Sequence, residues 1–141
     1  MRFWDASAII PLLTNETSHS RAMALLEKDS DIIAWWGTPV EIASALARRE
    51  REQHLSAEEA AATNATAMAL AERWNEVLPS PSLRRVAQRL LSTHPLRAAD
   101  SLQLAAALIA ADHDPSTLEF VCFDARLGQA VTREGFKVID R

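Results

Sequence analysis

The chain has 141 residues, 48% hydrophobic and 24% charged, with a net charge of −4 and a single cysteine. A chain of this length is expected to form one domain, residues 1–141, burying roughly 70% of the surface it exposes when unfolded, and the composition excludes a disordered or fibrous protein. Cys122 alone supports neither an internal disulfide framework nor a cysteine zinc site and favours a reducing, cytoplasmic setting, while the longest apolar run, Leu104–Ala111, is far too short to span a bilayer.

Phe3-Trp4 reads as a short buried strand that ends abruptly in Asp5, with a helix leaving at once through Ala6-Ser7-Ala8. Ser18–Asp29 has helical spacing, and Ile32–Trp36, stopped by Gly37, reads as a second strand. Thr38-Pro39-Val40-Glu41 has the form of a capping box opening a helix to about Gln53, with threonine as the N-cap and glutamate reaching back. Ser56-Ala57-Glu58-Glu59 is a second such box, opening an alanine-rich helix to about Trp74. A third short strand is expected at Glu76–Pro79 and a helix at about Ser82–Thr93.

Ser101–Ala111 is apolar nearly all round, which marks a helix buried on more than one side, yet Asp100 stands in its first turn. A second apolar strand, Phe120–Phe123, again ends in an acid, Asp124; a helix over Ala125–Arg133, a C-cap at Gly135 and a strand at Phe136–Ile139 complete the chain. Strands alternating with helices imply a parallel sheet covered on both faces. With only Gly37, Gly128 and Gly135, neither a phosphate-cradling P-loop nor a dinucleotide fingerprint is present.

Net acidity argues against holding nucleic acid by bulk electrostatics alone. The cations are nevertheless nearly all arginine, whose planar fork suits phosphate, and they cluster at Arg48, Arg49 and Arg51 and at Arg84, Arg85 and Arg89. The plainer reading of each cluster is a solvated helix face. His19, His54, His94 and His113 show no ligand spacing and read as surface residues; Trp4, Trp35 and Trp36 read as core, and Trp74 is open.

Asp5, Glu41, Asp100 and Asp124 each have a structural role available, as a helix cap or a first-turn acid. In a parallel sheet, however, every strand-to-helix junction lies on one edge, so all four can converge. Like charges about 4 Å apart repel by roughly 4 kcal/mol per pair at an effective dielectric of 20. Gathering them requires protonation or a cation. Oxygen donors without histidine or thiolate select Mg²⁺ or Mn²⁺, ions that activate water and clamp phosphoryl oxygens.

Asp5-Ala6-Ser7-Ala8, Thr38-Pro39-Val40-Glu41 with Ala45-Leu46, Leu96-Arg97-Ala98-Ala99-Asp100 with Leu102 and Leu104–Ala107, and Phe123-Asp124-Ala125-Arg126-Leu127 together resemble the PIN-domain ribonucleases, and among them the VapC-type toxins of toxin–antitoxin pairs. The resemblance runs from Phe3 to about Ile139 and is weakest between Gln53 and Pro81. It implies a three-layer α/β/α sandwich with a mostly parallel central sheet. It further implies an endoribonuclease that uses Mg²⁺ or Mn²⁺ to hydrolyse RNA by metal-activated water. Carried over, Asp5, Glu41 and Asp100 would be the core metal ligands and catalytic acids, Asp124 the fourth acid, and Ser7 the residue orienting a ligand or water. Some members carry a further acid just beyond the fourth, where this chain has Arg126. Arg97 and the Arg84–Arg85 pair are candidates for contacting RNA, with single-stranded loops the expected target. The implied partners are a small antitoxin protein and a second copy of the chain in a homodimer. Two other readings stay open: a protein-binding module with the acids as caps, and an aspartate-nucleophile phosphotransferase built on Asp5, for which a lysine near the site is wanting.

Overall fold

The structure, a computed structural model, describes residues 1–140. Among these, five strands form one sheet: β1 (Arg2–Trp4), β2 (Ile32–Trp35), β3 (Asn75–Val77), β4 (Glu119–Val121) and β5 (Lys137–Ile139). Every pairing is parallel, and the order across the sheet is β3-β2-β1-β4-β5. The helices are α1 (Ala6–Leu13), α2 (His19–Lys28), α3 (Thr38–Arg51), α4 (Ala57–Ala71), α5 (Pro81–Thr93), α6 (Ala98–Ala110) and α7 (Ala125–Arg133), with one 3₁₀ turn at Pro115–Thr117.

The three inner strands, β2, β1 and β4, are short but largely buried on both faces, and their side chains divide with period two. Phe3, Ile33, Trp35, Phe120 and Cys122 pack with α5, α6 and α7 on one face. Trp4, Ile32, Ala34, Val121 and Phe123 pack with α1 to α4 on the other. This is the three-layer α/β/α sandwich, and its sheet is wholly parallel. The apolar helix α6 is buried as its composition requires: Leu104, Ala105, Ala106 and Ala107 are fully enclosed.

The chain builds outward from β1 to β2 and β3, then crosses back and adds β4 and β5 on the opposite side of β1. The direction of winding therefore reverses between β1 and β4. In open parallel sheets, ligands bind outside the carboxyl ends of the strands at such a reversal. Asp5 and Asp124 follow the two strands that flank it.

Local chemistry agrees with most of the expected starts and stops. Ser56 and Glu59 make the full reciprocal capping box of α4, and Ser80 caps α5 ahead of Pro81. The expected box at α3 is absent. Gly37 is the N-cap and Thr38 lies inside the helix, where its hydroxyl accepts from the Gln103 amide at 3.0 Å. Glu41 is thus not engaged in capping. The space explains Gly37, since a Cβ there would stand 2.5 Å from the indole nitrogen of Trp35.

Two further expectations are corrected. His94 is not a surface residue: it is buried, and its Nε2 meets Glu134 at 2.6 Å, joining α5 to the end of α7, with Arg89 on the same carboxylate. Trp36 is not core. It lies just past the end of β2 and is 53% exposed, whereas Trp74 is buried.

Candidate active site

A cleft of about 850 Å³ opens at the carboxyl edge of the sheet, and Glu41, Asp100 and Asp124 line it together with Ser7. Asp5 lies beneath Ser7, only 4% exposed. Each acid arrives from a different element. Asp5 ends β1 and caps α1, accepting from the Ser7 amide at 3.1 Å. Glu41 comes from the first turn of α3, Asp100 from the first turn of α6, and Asp124 caps α7 by accepting from the Leu127 amide at 3.0 Å. The capping roles foreseen for Asp5 and Asp124 are real, and they fix those carboxylates at the reversal point rather than competing with a place in the cleft.

Ser7 joins the two central strands. Its hydroxyl donates to Asp5 Oδ1 at 2.8 Å and accepts from the Phe123 amide at 2.9 Å. Asp5 therefore has both oxygens hydrogen-bonded to one residue, and its orientation depends on how β4 docks against β1.

Gln103 escaped the sequence reading. It is 1% exposed on α6, three residues beyond Asp100, and its amide nitrogen donates to both Thr38 and the Glu41 carboxylate. The signal was present as the one amide side chain in an otherwise apolar helical run, since burying an amide without a partner costs a few kcal/mol.

The electrostatics follow from this packing. Burial pushes the Asp5 carboxyl from 3.8 up to about 7, the Ser7 hydrogen bonds oppose it, and the charges of Glu41 and Asp124 add to it. Burial likewise raises Glu41 from 4.5 to about 7, opposed by the Gln103 amide and reinforced by Asp100. Asp100 is raised by burial, with Asp124 adding and Arg126 and Arg97 opposing. The four acids thus feel one another's charge. Desolvation of this kind, together with like charges in a cleft, marks a candidate functional site. Burial also raises the Cys122 thiol, which donates to the Asp124 carbonyl at 3.3 Å and stays inert as a nucleophile.

The acids share the cleft without forming a finished cage: among the described residues, no three acidic, histidine or thiol side chains stand ready to hold a metal ion. Donor chemistry nonetheless fits a hard divalent cation. The groups lining the cleft offer oxygen and no imidazole, and three of the carboxyls carry raised pKa values that a cation would reverse.

Arginines ring the acids. Arg97, Arg126 and Arg48 all line the cleft. The other arginines proposed for RNA are not brought here. Arg84 lines a separate hollow with Trp35, Pro79 and Leu102, and Arg85 is exposed elsewhere on α5.

A parallel α/β/α sandwich with acids gathered at its reversal point defines a nuclease-like architecture, and the chain belongs to the PIN domain family, whose model matches residues 2–127. Nuclease activity is the family's general property, generally with a divalent metal ion. Solved structures share the fold. VapC20 from Mycobacterium tuberculosis, described as a sarcin-ricin loop cleaving toxin, superposes with a TM-score of 0.71 at 18% identity, covering 96% of each chain. FitAcB from Neisseria gonorrhoeae gives 0.69 at 16% identity, covering 99% of this chain and 96% of that one. A toxin–antitoxin complex from Klebsiella pneumoniae gives 0.62 at 19% identity, covering 89% and 88%. No curated protein matches at the level of sequence.

Proposed function

We propose that the protein is the toxin of a toxin–antitoxin pair and an endoribonuclease that requires Mg²⁺ or Mn²⁺. The observation that carries the reading is the convergence of Glu41, Asp100 and Asp124 on one open cleft with Asp5 buried beneath it, burial raising the pKa of Asp5, Glu41 and Asp100. Family membership and the toxin–antitoxin neighbours support it.

Asp5, Glu41 and Asp100 would hold the ion, with Asp124 the fourth acid. When bound, the ion supplies positive charge toward the phosphoryl oxygens and makes water a stronger nucleophile. The chain's own residues do the rest. Ser7 holds the Asp5 carboxylate in place through its hydroxyl, and Gln103 holds Glu41 through its amide. Arg97 and Arg126 face the strand's negative charge at the mouth of the cleft. An open cleft of this shape suits an unstacked single strand better than a duplex.

No paired histidines stand among the residues lining the cleft, and the carboxyls that titrate near neutrality there are the ones assigned to the ion, which favours metal-activated water over the 2′-hydroxyl as nucleophile. Cleavage should leave a 5′-phosphate and a 3′-hydroxyl, stop in EDTA and resume with Mg²⁺ or Mn²⁺. A 2′,3′-cyclic phosphate formed equally well in EDTA refutes the mechanism. Expression alone should slow host growth, and co-expression with a small antitoxin encoded beside it should restore growth through a tight complex covering the cleft. A homodimer is the expected assembly of the toxin itself.

A further inference from the structure

The acid cleft continues into a second groove of about 360 Å³ between α1 and α3. Helix α3 lies along both. Glu41, Ser44 and Arg48 line the acid cleft, and Ala45, Arg48, Arg49 and Glu52 line the second groove. Positions three and four apart share a helix face, so these are adjacent stripes of one surface. Arg48 belongs to both stripes, as Ser7 does to both hollows.

Arg48 and its neighbour differ in one respect. Arg49 is engaged by the Glu16 carboxylate at the end of α1, and its charge is committed to the fold. Arg48 is exposed, and among the described residues no ion pair or side-chain hydrogen bond engages it. It stands about 10 Å along the helix axis from Glu41, and a helical side chain leans back toward the N-terminus, here toward the acids. The two other cleft arginines, Arg97 and Arg126, come from the starts of α6 and α7, and both act on Asp100. Arg48 alone of the three brings a charge not set against that acid.

We infer that Arg48 is a substrate-positioning residue that binds a phosphate next to the scissile one and leads the single strand from the acid cleft into the groove between α1 and α3. This rests on the ribonuclease reading above. A guanidinium free of carboxylate partners keeps its whole fork for two parallel hydrogen bonds to one phosphate. The second groove then holds the nucleotide attached to it, which makes cleavage depend on chain length on that side.

The test uses the full-length chain and a single-stranded RNA that the wild type cuts. Arg48→Ala should raise KM about ten-fold or more, the loss of at least one charge-assisted hydrogen bond of the fork, with kcat little changed. It should also lower the salt dependence of binding by about one counterion, measured with the cleavage-deficient Asp100→Asn background. Arg51→Ala removes the same charge from a residue that lines neither groove and should leave both unchanged; Arg48→Lys should recover part of the loss. Replacing single phosphates by neutral methylphosphonates should find one linkage beside the cut whose penalty disappears in Arg48→Ala. Equal losses in Arg48→Ala and Arg51→Ala, or no linkage coupled to Arg48, overturn the inference while the nuclease reading stands. If Arg48→Ala cuts RNA normally but loses a protein complex, the groove is a protein surface and the inference fails. A metal-loaded wild type that neither binds nor cuts RNA removes both readings.

Discussion

Asp5→Asn should separate the two consequences of burying a carboxyl beneath the cleft. In the metal-free wild type, folding raises the Asp5 pKa from 3.8 to about 7. The folded state therefore binds more protons than the unfolded one across that interval, and stability falls as pH rises through it. Each pKa unit corresponds to about 1.4 kcal/mol, so the part between pH 5 and pH 8 amounts to about 3 kcal/mol, with little further loss above it. For a chain of this length that is on the order of 10 °C in Tm. Glu41 facing from α3 and Asp100 from α6 are raised as well and act in the same direction, while the lowered Glu134, Glu119 and Asp29 exert their effect at pH values below this window. Asparagine keeps the cap to the Ser7 amide, since it serves as well as aspartate at an N-cap, and cannot ionise. The variant should lose about 3 kcal/mol less than the wild type between pH 5 and pH 8, measured by denaturant unfolding in EDTA. Mg²⁺ or Mn²⁺ should stabilise the wild type at pH 8 more than the variant, and the variant should cut no RNA. A wild type equally stable at pH 5 and pH 8, or a variant falling as steeply, refutes the reasoning that Asp5 is a buried acid held near neutrality.

Asp100→Asn should abolish RNA cleavage and leave metal-free Tm unchanged or slightly higher, because it relieves repulsion from Asp124 and Glu41; a large fall in Tm would show Asp100 to be chiefly structural. Ser7→Ala removes the donor to Asp5 and the acceptor of the Phe123 amide, and should cost about 2 kcal/mol while moving the Asp5 titration further up, followed by carboxyl NMR shifts against pH. Unchanged titration would mean that Ser7 does not position Asp5. Gly37→Ala puts a methyl group against the buried Trp35 indole and should destabilise by about 1–3 kcal/mol in equilibrium unfolding; a neutral result would mean that the ring shifts freely.

Much of the fold could be read from apolar runs and their punctuation. Ile32–Trp36, Ser56–Glu59, Ser80-Pro81 and the apolar stretch after Asp100 each announce an element that the structure contains, because each is decided by neighbours in sequence. What the sequence hid was decided by distant neighbours. Thr38 has the chemistry of an N-cap and fails to be one because Gln103, far along the chain, offers its hydroxyl a partner inside the helix. His94 is drawn inside by Glu134. Trp36 is as apolar as Trp35, but lies one residue beyond the last paired strand position, Trp35. The four acids were visible as candidates because each follows a strand or opens a helix. That they share one cleft depends on the strand order, which brings β4 beside β1. The contrast between Arg48 and Arg49 was out of reach, because only the position of Glu16 distinguishes them.

The strand order also sets a schedule for synthesis. Asp5 and Asp124 lie 119 positions apart in the chain, so Asp5 is made well before Asp124. β1 gains β2 early, but its other neighbour, β4, and the Phe123 amide that grips Ser7 come only after β3, α5 and α6 have been made. At translation rates of about 5–20 residues per second, roughly 6–24 s separate the first acid from the fourth. During that interval the nascent chain has no complete cleft. A chain that breaks off before β4 lacks the fourth acid and half of the clasp around the first, so on the proposed function such a truncated product should not cut RNA.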